Sequence, residues 1–391
     1  MHHIRQSPAD PGFVQNPYAF YDRARALGRF VYWDDIAMPC AVSHAAVSAI
    51  LRDRRFGREI PADRQAPVPA RLEPFYAIER HSMLELEPPR HTMLRKPVLR
   101  AFTSRRIAGM GPEIVALTHG LIDRFPDGPF DLLTHYARTI PVVVICRLLG
   151  VPEAMKDQLL DWSHAMVGMY QTGRTRAHED AAARAAGDFA DYLRQHVAAR
   201  RAAPGDDLIG RLIAEGQGAL STDELIATCV LLLNAGHEAT VHALGNGVKT
   251  VLEAGGPHDW LEPDNIEATV EEILRFDPPL HLFTRYAYER VEVMGQVFDP
   301  GTRIALLLGA AGRDPGACAD PHRFDPARPV KPHLAFGAGL HFCLGAPLAR
   351  LELALALPIL FQRCPGLRLS EAPEYSDTYH FHGLSRLMVA R

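Results

Sequence analysis

Apolar residues recur every three or four positions along most of the chain, which predicts a mainly helical protein. Residues 16–28, NPYAFYDRARALG, are typical: Asn16 is the expected N-cap, Pro17 lies in the first turn and Gly28 ends the helix. A charged segment, 171–187, is expected to connect two later helices. Further helices are predicted in PPRHTMLRKPVLRAF, GPEIVALTHGLIDRF, TIPVVVICRLLG, DWSHAMVGMY and AGDFADYLRQHVAARR.

Short β-branched and aromatic runs predict a small β component. RFVYWDD and MPCAVS are typical of two strands joined by a turn, and the helix that follows starts at Ser43 as its N-cap. Late in the chain, YERVEVMGQVF and TRIALLLGAA also have strand character. The pattern therefore favours helices with a minor sheet.

A long apolar helix is expected after a capping box formed by Ser221 and Glu224. The helical pattern continues to about Gly255, a length of roughly 50 Å. Gly236 and Glu238 interrupt its apolar middle, where a glycine and a carboxylate both lower stability. Such a pair in this position needs a functional explanation.

Two irregular stretches flank the helical segments. Residues 57–80 are rich in Pro and Arg and predict a loop with one short helix. DNIEATVEEILRF predicts a helix that is stopped by 277–279, Asp-Pro-Pro. Residues 312–335 then form a second irregular stretch, and loops of this length are usually functional.

The composition is that of an ordinary globular protein, with 47% hydrophobic and 23% charged residues. A length of 391 residues suggests two or three domains as a prior, but no repeat or Ser/Gly-rich linker divides the chain, so a single domain over 1–391 is expected. The net charge of −4 argues against nucleic-acid binding. No signal peptide or run of 18 apolar residues is visible, and six cysteines without a CxxC pair suggest a reducing, cytoplasmic location.

Cys343 has surroundings that suit a thiolate. It lies in a glycine-rich turn with Gly337, Gly339 and Gly345, and Pro347 marks the first turn of the helix that follows. Glycines let backbone N–H groups approach a sulfur, and a helix N-terminus favours an anion. The alternative is a buried structural cysteine.

The segment FGAGLHFCLG resembles the cysteine-ligand loop of the cytochromes P450. The resemblance implies the triangular P450 fold, mainly α with a small β component and a long central helix over a haem. It implies that Cys343 is the proximal ligand of the haem iron and that His341 is near a propionate. Other haem contacts are expected from Ala235, Phe336 and Gly337.

Two further motifs occur in the order of that family. EEILR contains Glu272 and Arg275, which share a helix face, and PHRFDPARP resembles the segment that supplies a second arginine, here expected to be Arg323. The three residues would form a structural network that holds the cysteine loop. On its own, a Glu and an Arg at this spacing could be a solvated pair.

The propionates of a haem need cationic or hydrogen-bonding partners. HTMLR supplies His91 and Arg95, four apart on one helix face, and Arg285 in HLFTRY matches a third family position. His91 could instead be a surface histidine, and Arg285 a charge on a strand face.

AGHEAT resembles the family segment that crosses the distal face of the haem. There Gly236 would allow close approach to oxygen, and Glu238 would help to deliver protons. The family usually has Thr at the next position, but this chain has Ala239, and Thr240 follows about 100° further round the helix. A water held by Glu238 and Thr240, or a polar group of the substrate, could replace the missing hydroxyl. Glu238 could also simply be paired with an arginine.

The resemblance implies a monooxygenase that uses haem b and inserts one oxygen atom from O2 into a mainly hydrophobic small molecule, most commonly by hydroxylation. Electrons would come from NAD(P)H through a reductase and a separate ferredoxin or flavodoxin. The enzyme is expected to be a monomer, and no nucleic-acid or membrane partner is expected. A peroxide-driven P450 and a haem-based sensor are the alternatives. The expected pocket residues, each of which could be ordinary packing, are Leu232, Ala235, Leu280, His281, Leu282, Phe283, Phe381 and His382.

Overall fold

The chain folds into two units, each assembled from separated segments. The computed structural model describes residues 1–170, 174–216, 220–257, 259–329 and 332–391. The first unit contains Met1–Gly57, Gly111–Arg138 and Ala239–Arg391, and the second contains Arg58–Met110 and Thr139–Glu238. The expectation of a single domain over 1–391 stays a prediction.

Helices make up most of the described structure, which confirms the predicted mainly α class. In chain order the helices are α1 (Pro11–Gln15), α2 (Tyr18–Ala26), α3 (His44–Arg52), α4 (Glu73–Glu79), α5 (Arg90–Ala101), α6 (Ser104–Gly109), α7 (Gly111–Ile122), α8 (Thr139–Leu149), α9 (Lys156–Val167), α10 (Arg176–Ala202), α11 (Leu208–Gly216), α12 (Thr222–Glu253), α13 (Ile266–Phe276), α14 (Leu308–Gly312) and α15 (Ala346–Arg363). None of the helices in the described residues is both long and apolar enough to span a membrane.

The strands belong to the first unit and are short. They are β1 (His2–Ile4), β2 (Phe30–Trp33), β3 (Met38–Ala41), β4 (Phe56–Gly57), β5 (Phe130–Asp131), β6 (Leu282–Ala287), β7 (Val291–Val293), β8 (Gln296–Phe298), β9 (Arg303–Leu307), β10 (Arg368–Leu369), β11 (Glu374–Tyr375), β12 (Leu384–Arg386) and β13 (Met388–Ala390). The largest sheet has the order β1-β2-β3-β9-β6-β4, in which β2 and β3 form the predicted antiparallel hairpin and β9 pairs with β3 in parallel.

Side-chain alternation divides the core around this sheet into two apolar layers. In β9, Ile304 and Leu306 pack in one cluster with α3, whereas Ala305 and Leu307 pack in a second cluster with α1 and α2. Successive side chains of a strand point to opposite faces, so a strand that is apolar at every position is buried on both sides. The continuous apolar run of β9 is explained in this way.

Several predicted helix ends are confirmed and one is wrong. The Ser43 hydroxyl accepts from the Ala46 amide at 3.2 Å, and Ser221 and Glu224 form the capping box, with contacts of 2.8 and 3.2 Å. Asn16, however, is the C-cap of α1, and α2 starts after Pro17 without a side-chain cap. The reason is that a short helix, α1, capped by Asp10, already occupies the residues just before Asn16.

Two boundaries differ from the sequence-based expectation. Thr175 caps α10, so most of the segment expected to be a charged connection, 171–187, is helix; residues 171–173 lie outside the described residues. The strand predicted at 302–311 ends at Leu307, and α14 follows it. Gly312 of α14 packs directly on the backbone of α13, where an added Cβ would lie 2.4 Å from the Arg275 carbonyl oxygen.

A buried carboxylate ties the N-terminal and C-terminal segments of the first unit together. Asp277, which follows α13, accepts a hydrogen bond from the Tyr18 hydroxyl at 2.8 Å and one from the Tyr375 hydroxyl. His382 lies 3.4 Å from the same carboxylate. Burial alone would raise the pKa of Asp277, but His382 and, to a smaller degree, the charges of Lys249 and Arg313 hold that pKa well below its usual range.

We expect Asp277→Asn to lower the free energy of unfolding by about 3 kcal/mol at pH 7, because it removes a buried carboxylate that accepts hydrogen bonds from two tyrosine hydroxyls and contacts His382. A carboxyl whose pKa is depressed in the folded state stabilises above its unfolded pKa and loses that contribution as the pH falls. The difference between wild type and variant should therefore shrink between about pH 5 and pH 3. Urea unfolding at several pH values measures it, and a difference that does not depend on pH would contradict the assignment.

Candidate functional site

Cys343 lies in a tight turn immediately before α15. Gly337 and Gly339 adopt φ values of +68° and +70°, the left-handed region that favours glycine. The Cys343 amide donates to the Phe336 carbonyl at 3.0 Å, and the Gly337 amide donates to the Leu334 carbonyl at 2.8 Å. These contacts hold the backbone on the N-terminal side of the thiol.

The turn is packed closely at Gly337 and Gly339. An added Cβ at Gly339 would lie 2.3 Å from the Leu51 carbonyl oxygen, and one at Gly337 would lie 3.3 Å from the Phe283 ring. A Cβ at Gly345 would lie 3.9 Å from the Cys343 sulfur. Glycine therefore brings the turn against the end of α3 and against β6.

Cys343 is the cysteine best placed to act as a ligand. It is partly accessible, and the amides of the first turn of α15 follow it, with Pro347 in that turn as predicted. The pKa of Arg350 is raised chiefly by its hydrogen bonds to Glu271 and to a smaller degree by the charge of Cys343. Burial raises the pKa of the four buried thiols, which are Cys40, Cys146, Cys229 and Cys364.

A buried carboxylate, Glu272, organises the loop that leads to this turn. Its two oxygens accept from Arg275 at 2.6 and 2.7 Å, from Arg328 at 2.9 Å and from the Asp325 amide at 2.9 Å. Arg275 also donates to the carbonyls of Gly312 and Pro321. Although burial opposes its charge, the contact with Glu272 raises the pKa of Arg275.

The second arginine of this network is Arg328, which corrects the expectation of Arg323. The Arg323 side chain is 68% exposed, and its ion pair among the described residues is with Asp325, at 3.8 Å. Its backbone carbonyl does join the network, because it accepts from Arg328 at 2.8 Å and from Arg275 at 3.3 Å. The loop turns between Arg323 and Arg328, so that the Arg328 side chain is directed toward Glu272.

Arg285 lies on the face of β6 that is directed toward the Cys343 turn. Alternation places Arg285 and Phe283 on the same face of the strand, and Phe283 is the residue that contacts Gly337. Arg285 is 2% exposed and donates to the Thr284 carbonyl at 2.8 Å. His341 lies two residues before Cys343 and is partly exposed. A buried guanidinium beside a thiol turn suits an anionic ligand.

The second unit carries the other two predicted propionate contacts. His91 and Arg95 lie four residues apart on α5 and therefore share one face of that helix. His91 is 1% exposed, so it is not the surface histidine considered as its alternative, and Arg95 is partly exposed.

A short apolar stripe is accessible in the middle of α12. Leu232, Ala235 and Ala239 are partly or fully exposed, and their spacing of three and four puts them on one face. Their neighbours His237 and Thr240 are buried, at 1% and 6% exposure. Small or apolar accessible side chains in the middle of a long helix are suited to line a bound ligand.

Glu238 lies in a cluster with two histidines of the second unit. Its Oε2 atom is 3.2 Å from Nε2 of His164 on α9 and 3.6 Å from Nδ1 of its neighbour His237. Two of the contacts of Glu238 are therefore with histidine rings. Gly236 faces α8, where an added Cβ would make an ordinary contact of 3.6 Å with Ile145.

The expected substrate residues divide into two groups. Leu280 and Phe381 form an antiparallel bridge and, like Leu282 and Phe283, remain partly accessible. His281 and His382, in contrast, are buried at 0% and 3%. His281 contacts the Tyr21 hydroxyl at 2.8 Å and His382 contacts Asp277. Both histidines therefore have a structural role in the described contacts.

Arg328 and His164 were not found from the sequence. The sequence does offer Arg328 as a candidate for the network, because the segment PHRFDPARP contains two arginines, Arg323 and Arg328. His164 has no local signal, since it is 74 positions from Glu238 and only the packing of two helices joins them.

The residues of the first unit fit a haem. An iron porphyrin requires an axial ligand, apolar contacts and partners for two propionates. The axial ligand can be the accessible Cys343 thiol. The Phe283 ring next to the glycine turn offers an apolar contact, and the buried Arg285 cation can be a propionate partner.

Comparison with known proteins agrees with this geometry. The family model "Cytochrome P450" matches residues 265–376. The chain is 36% identical to the cytochrome P450 monooxygenase PikC of Streptomyces venezuelae, over 92% of this chain and 87% of that protein. It is also 36% identical to the vitamin D(3) 25-hydroxylase of Pseudonocardia autotrophica, over 96% and 94%. The solved structure of P450BioI in complex with hexadec-9Z-enoic acid ligated acyl carrier protein matches with a TM-score of 0.90 and 31% identity, over 97% of this chain and 99% of that chain.

Arg328→Ala and Arg323→Ala form a matched pair that tests the corrected network. Removal of Arg328 deprives buried Glu272 of a charged hydrogen bond, so we expect a loss of about 2 kcal/mol in the free energy of unfolding. Arg323→Ala should change it by less than about 0.5 kcal/mol, because its side chain is exposed. Chemical denaturation measures both, and equal losses would contradict the assignment of Arg328.

Proposed function

Since the chain belongs to the cytochrome P450 family, we propose that Cys343 is the axial thiolate of a haem b in a monooxygenase that acts on a mainly hydrophobic small molecule. The observation that carries this proposal is the accessible thiol in a glycine turn at the start of α15. When bound, haem supplies the activation of O2, of which one oxygen atom enters the substrate and the other becomes water.

We propose that four cationic or hydrogen-bonding side chains hold the propionates. The resemblance to the family implies this role for Arg285, His341, His91 and Arg95. Charge-assisted hydrogen bonds from a guanidinium to a carboxylate are among the strongest that a protein makes. Burial strengthens the attraction further, and it favours Arg285 and His91 as the residues that orient the cofactor. Phe336, Gly337 and Ala235 would complete its contacts.

We propose that Glu238 supplies protons on the α12 side of the site. Its carboxylate can accept a proton and release it again, whereas the methyl group of Ala239 can do neither. Thr240 is buried and about 100° further round the helix. A water held by Glu238 and Thr240, or a polar group on the substrate itself, would then replace the missing hydroxyl. The resemblance to the family implies that Gly236 allows close approach to oxygen.

The substrate is proposed to be mainly apolar with a hydroxyl, carbonyl or carboxylate group. The accessible side chains that support this are aliphatic or aromatic, namely Leu232, Ala235, Leu280, Leu282, Phe283 and Phe381. Two relatives support this class, since one is named for vitamin D(3) and another is bound to an acyl chain on its carrier protein. Hydroxylation is the reaction proposed for such a substrate.

Electrons are proposed to come from NAD(P)H through a reductase and a separate ferredoxin or flavodoxin, and the enzyme is proposed to act as a monomer. One observation favours a second function. Ala239 removes the hydroxyl that assists O2 activation elsewhere in the family, which favours a peroxide-driven enzyme or a haem-based sensor with little turnover. Retention of Glu238 favours the O2-dependent monooxygenase.

Cys343→Ser tests the proposed ligand. We expect the reduced carbon monoxide complex to lose the red-shifted Soret band that thiolate ligation produces, and turnover to fall to background. Cys318→Ser is the control, because Cys318 is the other partly exposed cysteine and serine keeps an acceptor for Arg328. An unchanged spectrum for Cys343→Ser would refute the assignment.

Ala239→Thr tests whether a side-chain hydroxyl is needed here. Product formed per NAD(P)H consumed is measured with a substrate that ligand screening by the Soret shift has identified. We expect an improvement far smaller than the roughly 100-fold contribution of a general acid, because water or the substrate already replaces the hydroxyl. Thr240→Val should lower the same ratio. A sharp improvement in Ala239→Thr would refute replacement of the hydroxyl by water or substrate.

A further inference from the structure

The half-exposed histidine of the Glu238 cluster connects that carboxylate to solvent. The His164 side chain is 52% exposed, whereas the Glu238 side chain is 21% exposed. Nε2 of His164 and Oε2 of Glu238 are 3.2 Å apart, which is within reach of a charge-assisted hydrogen bond. His237 contacts the same oxygen at 3.6 Å, but its side chain is only 2% exposed, so it has little access to bulk water.

Histidine is chemically suited to such a place. Its ordinary pKa lies near neutral pH, so an imidazole can both give and regain a proton under physiological conditions. An arginine at the same position would stabilise the carboxylate but would keep its own protons, because a guanidinium does not deprotonate in proteins. The identity of the residue beside Glu238 therefore matters for more than its charge.

We propose that His164 is the residue through which protons from solvent reach Glu238. The imidazolium Nε2–H of His164 donates its proton to Oε2 of Glu238, and the neutral ring then takes a proton from bulk water. No oxidant or reductant is needed, and charge is conserved at each step. The inference rests on the proposed role of Glu238 as the proton source of the site.

The arrangement also explains how the chain can retain Glu238 and lack a hydroxyl at Ala239. Glu238 is reloaded from its outer side, by a side chain of α9, and this does not require a hydroxyl on α12. Only the last transfer, from Glu238 inward, has to pass through water or substrate. His164 is then a proton carrier for Glu238 and need not touch the substrate.

The first experiment uses a readout that does not depend on turnover. The pKa of His164 is measured by NMR in the reduced carbon monoxide complex of the holoenzyme, which is diamagnetic, for wild type and for Glu238→Gln. A neighbouring carboxylate stabilises imidazolium, so we expect the His164 pKa to fall by about one pH unit in Glu238→Gln. An identical pKa in both proteins would show that the two groups do not share a proton and would overturn the proposal.

The second experiment compares His164→Gln with His164→Ala in the holoenzyme with ferredoxin, reductase and NAD(P)H. Glutamine can still donate a hydrogen bond to Glu238 but cannot carry a proton. We expect the rate at which O2 is reduced to water, taken as NAD(P)H oxidised and not recovered as hydrogen peroxide, to fall about tenfold in both variants. If glutamine retained the wild-type rate, His164 would only position Glu238 and the proposal would be wrong.

His135→Gln is the matched control, because His135 is an exposed histidine of the first unit whose described ring contact is with Phe130. It should leave both readouts unchanged. In the second experiment, Glu238→Gln distinguishes the proposed role of Glu238 from the proposed role of His164. If it has no effect on water formation, the proposed role of Glu238 fails; if it lowers the rate while His164→Gln does not, only the role of His164 fails.

Discussion

A carboxylate removed from water must be surrounded by donors, and this constraint at Glu272 determines the course of the loop before the cysteine turn. Arg275 is presented by the same helix, but Arg328 and the Asp325 amide come from the irregular segment that follows α14. Once these donors converge on one pair of oxygens, the segment has little freedom. Such a network offers modest net stability and a strong specification of geometry. The position of Cys343 depends on it, because the loop leads into the turn.

The turn itself is determined by local backbone chemistry. Positive φ values at Gly337 and Gly339 and the close approach of Leu51 leave no space for a Cβ. The thiol thereby reaches the N-terminus of α15, where the helix amides favour an anion. Two independent constraints, one in the tertiary network and one in the backbone, thus converge on the same sulfur.

The middle of α12 has an explanation of a different kind. A glycine and a carboxylate lower the stability of an apolar helix, and the structure shows an accessible stripe and a histidine-contacted carboxylate at that point. A protein retains destabilising residues where function requires them. At position 239 the family usually has Thr, which has a low helix propensity, whereas this chain has Ala, which has the highest. Because Ala239 has no hydroxyl, the proposed proton supply depends more strongly on Glu238 and its partners.

What the sequence alone determined was local or motif-based. The caps at Ser43 and Ser221, the strand character of β9 and the cysteine turn depend on neighbours within a few positions, so the local sequence was sufficient to predict them. Only the tertiary structure decided which arginine joins Glu272, and that His164 meets Glu238. Those choices depend on how a loop turns and how two helices pack, and residues far apart in the chain carry no spacing that reveals such contacts.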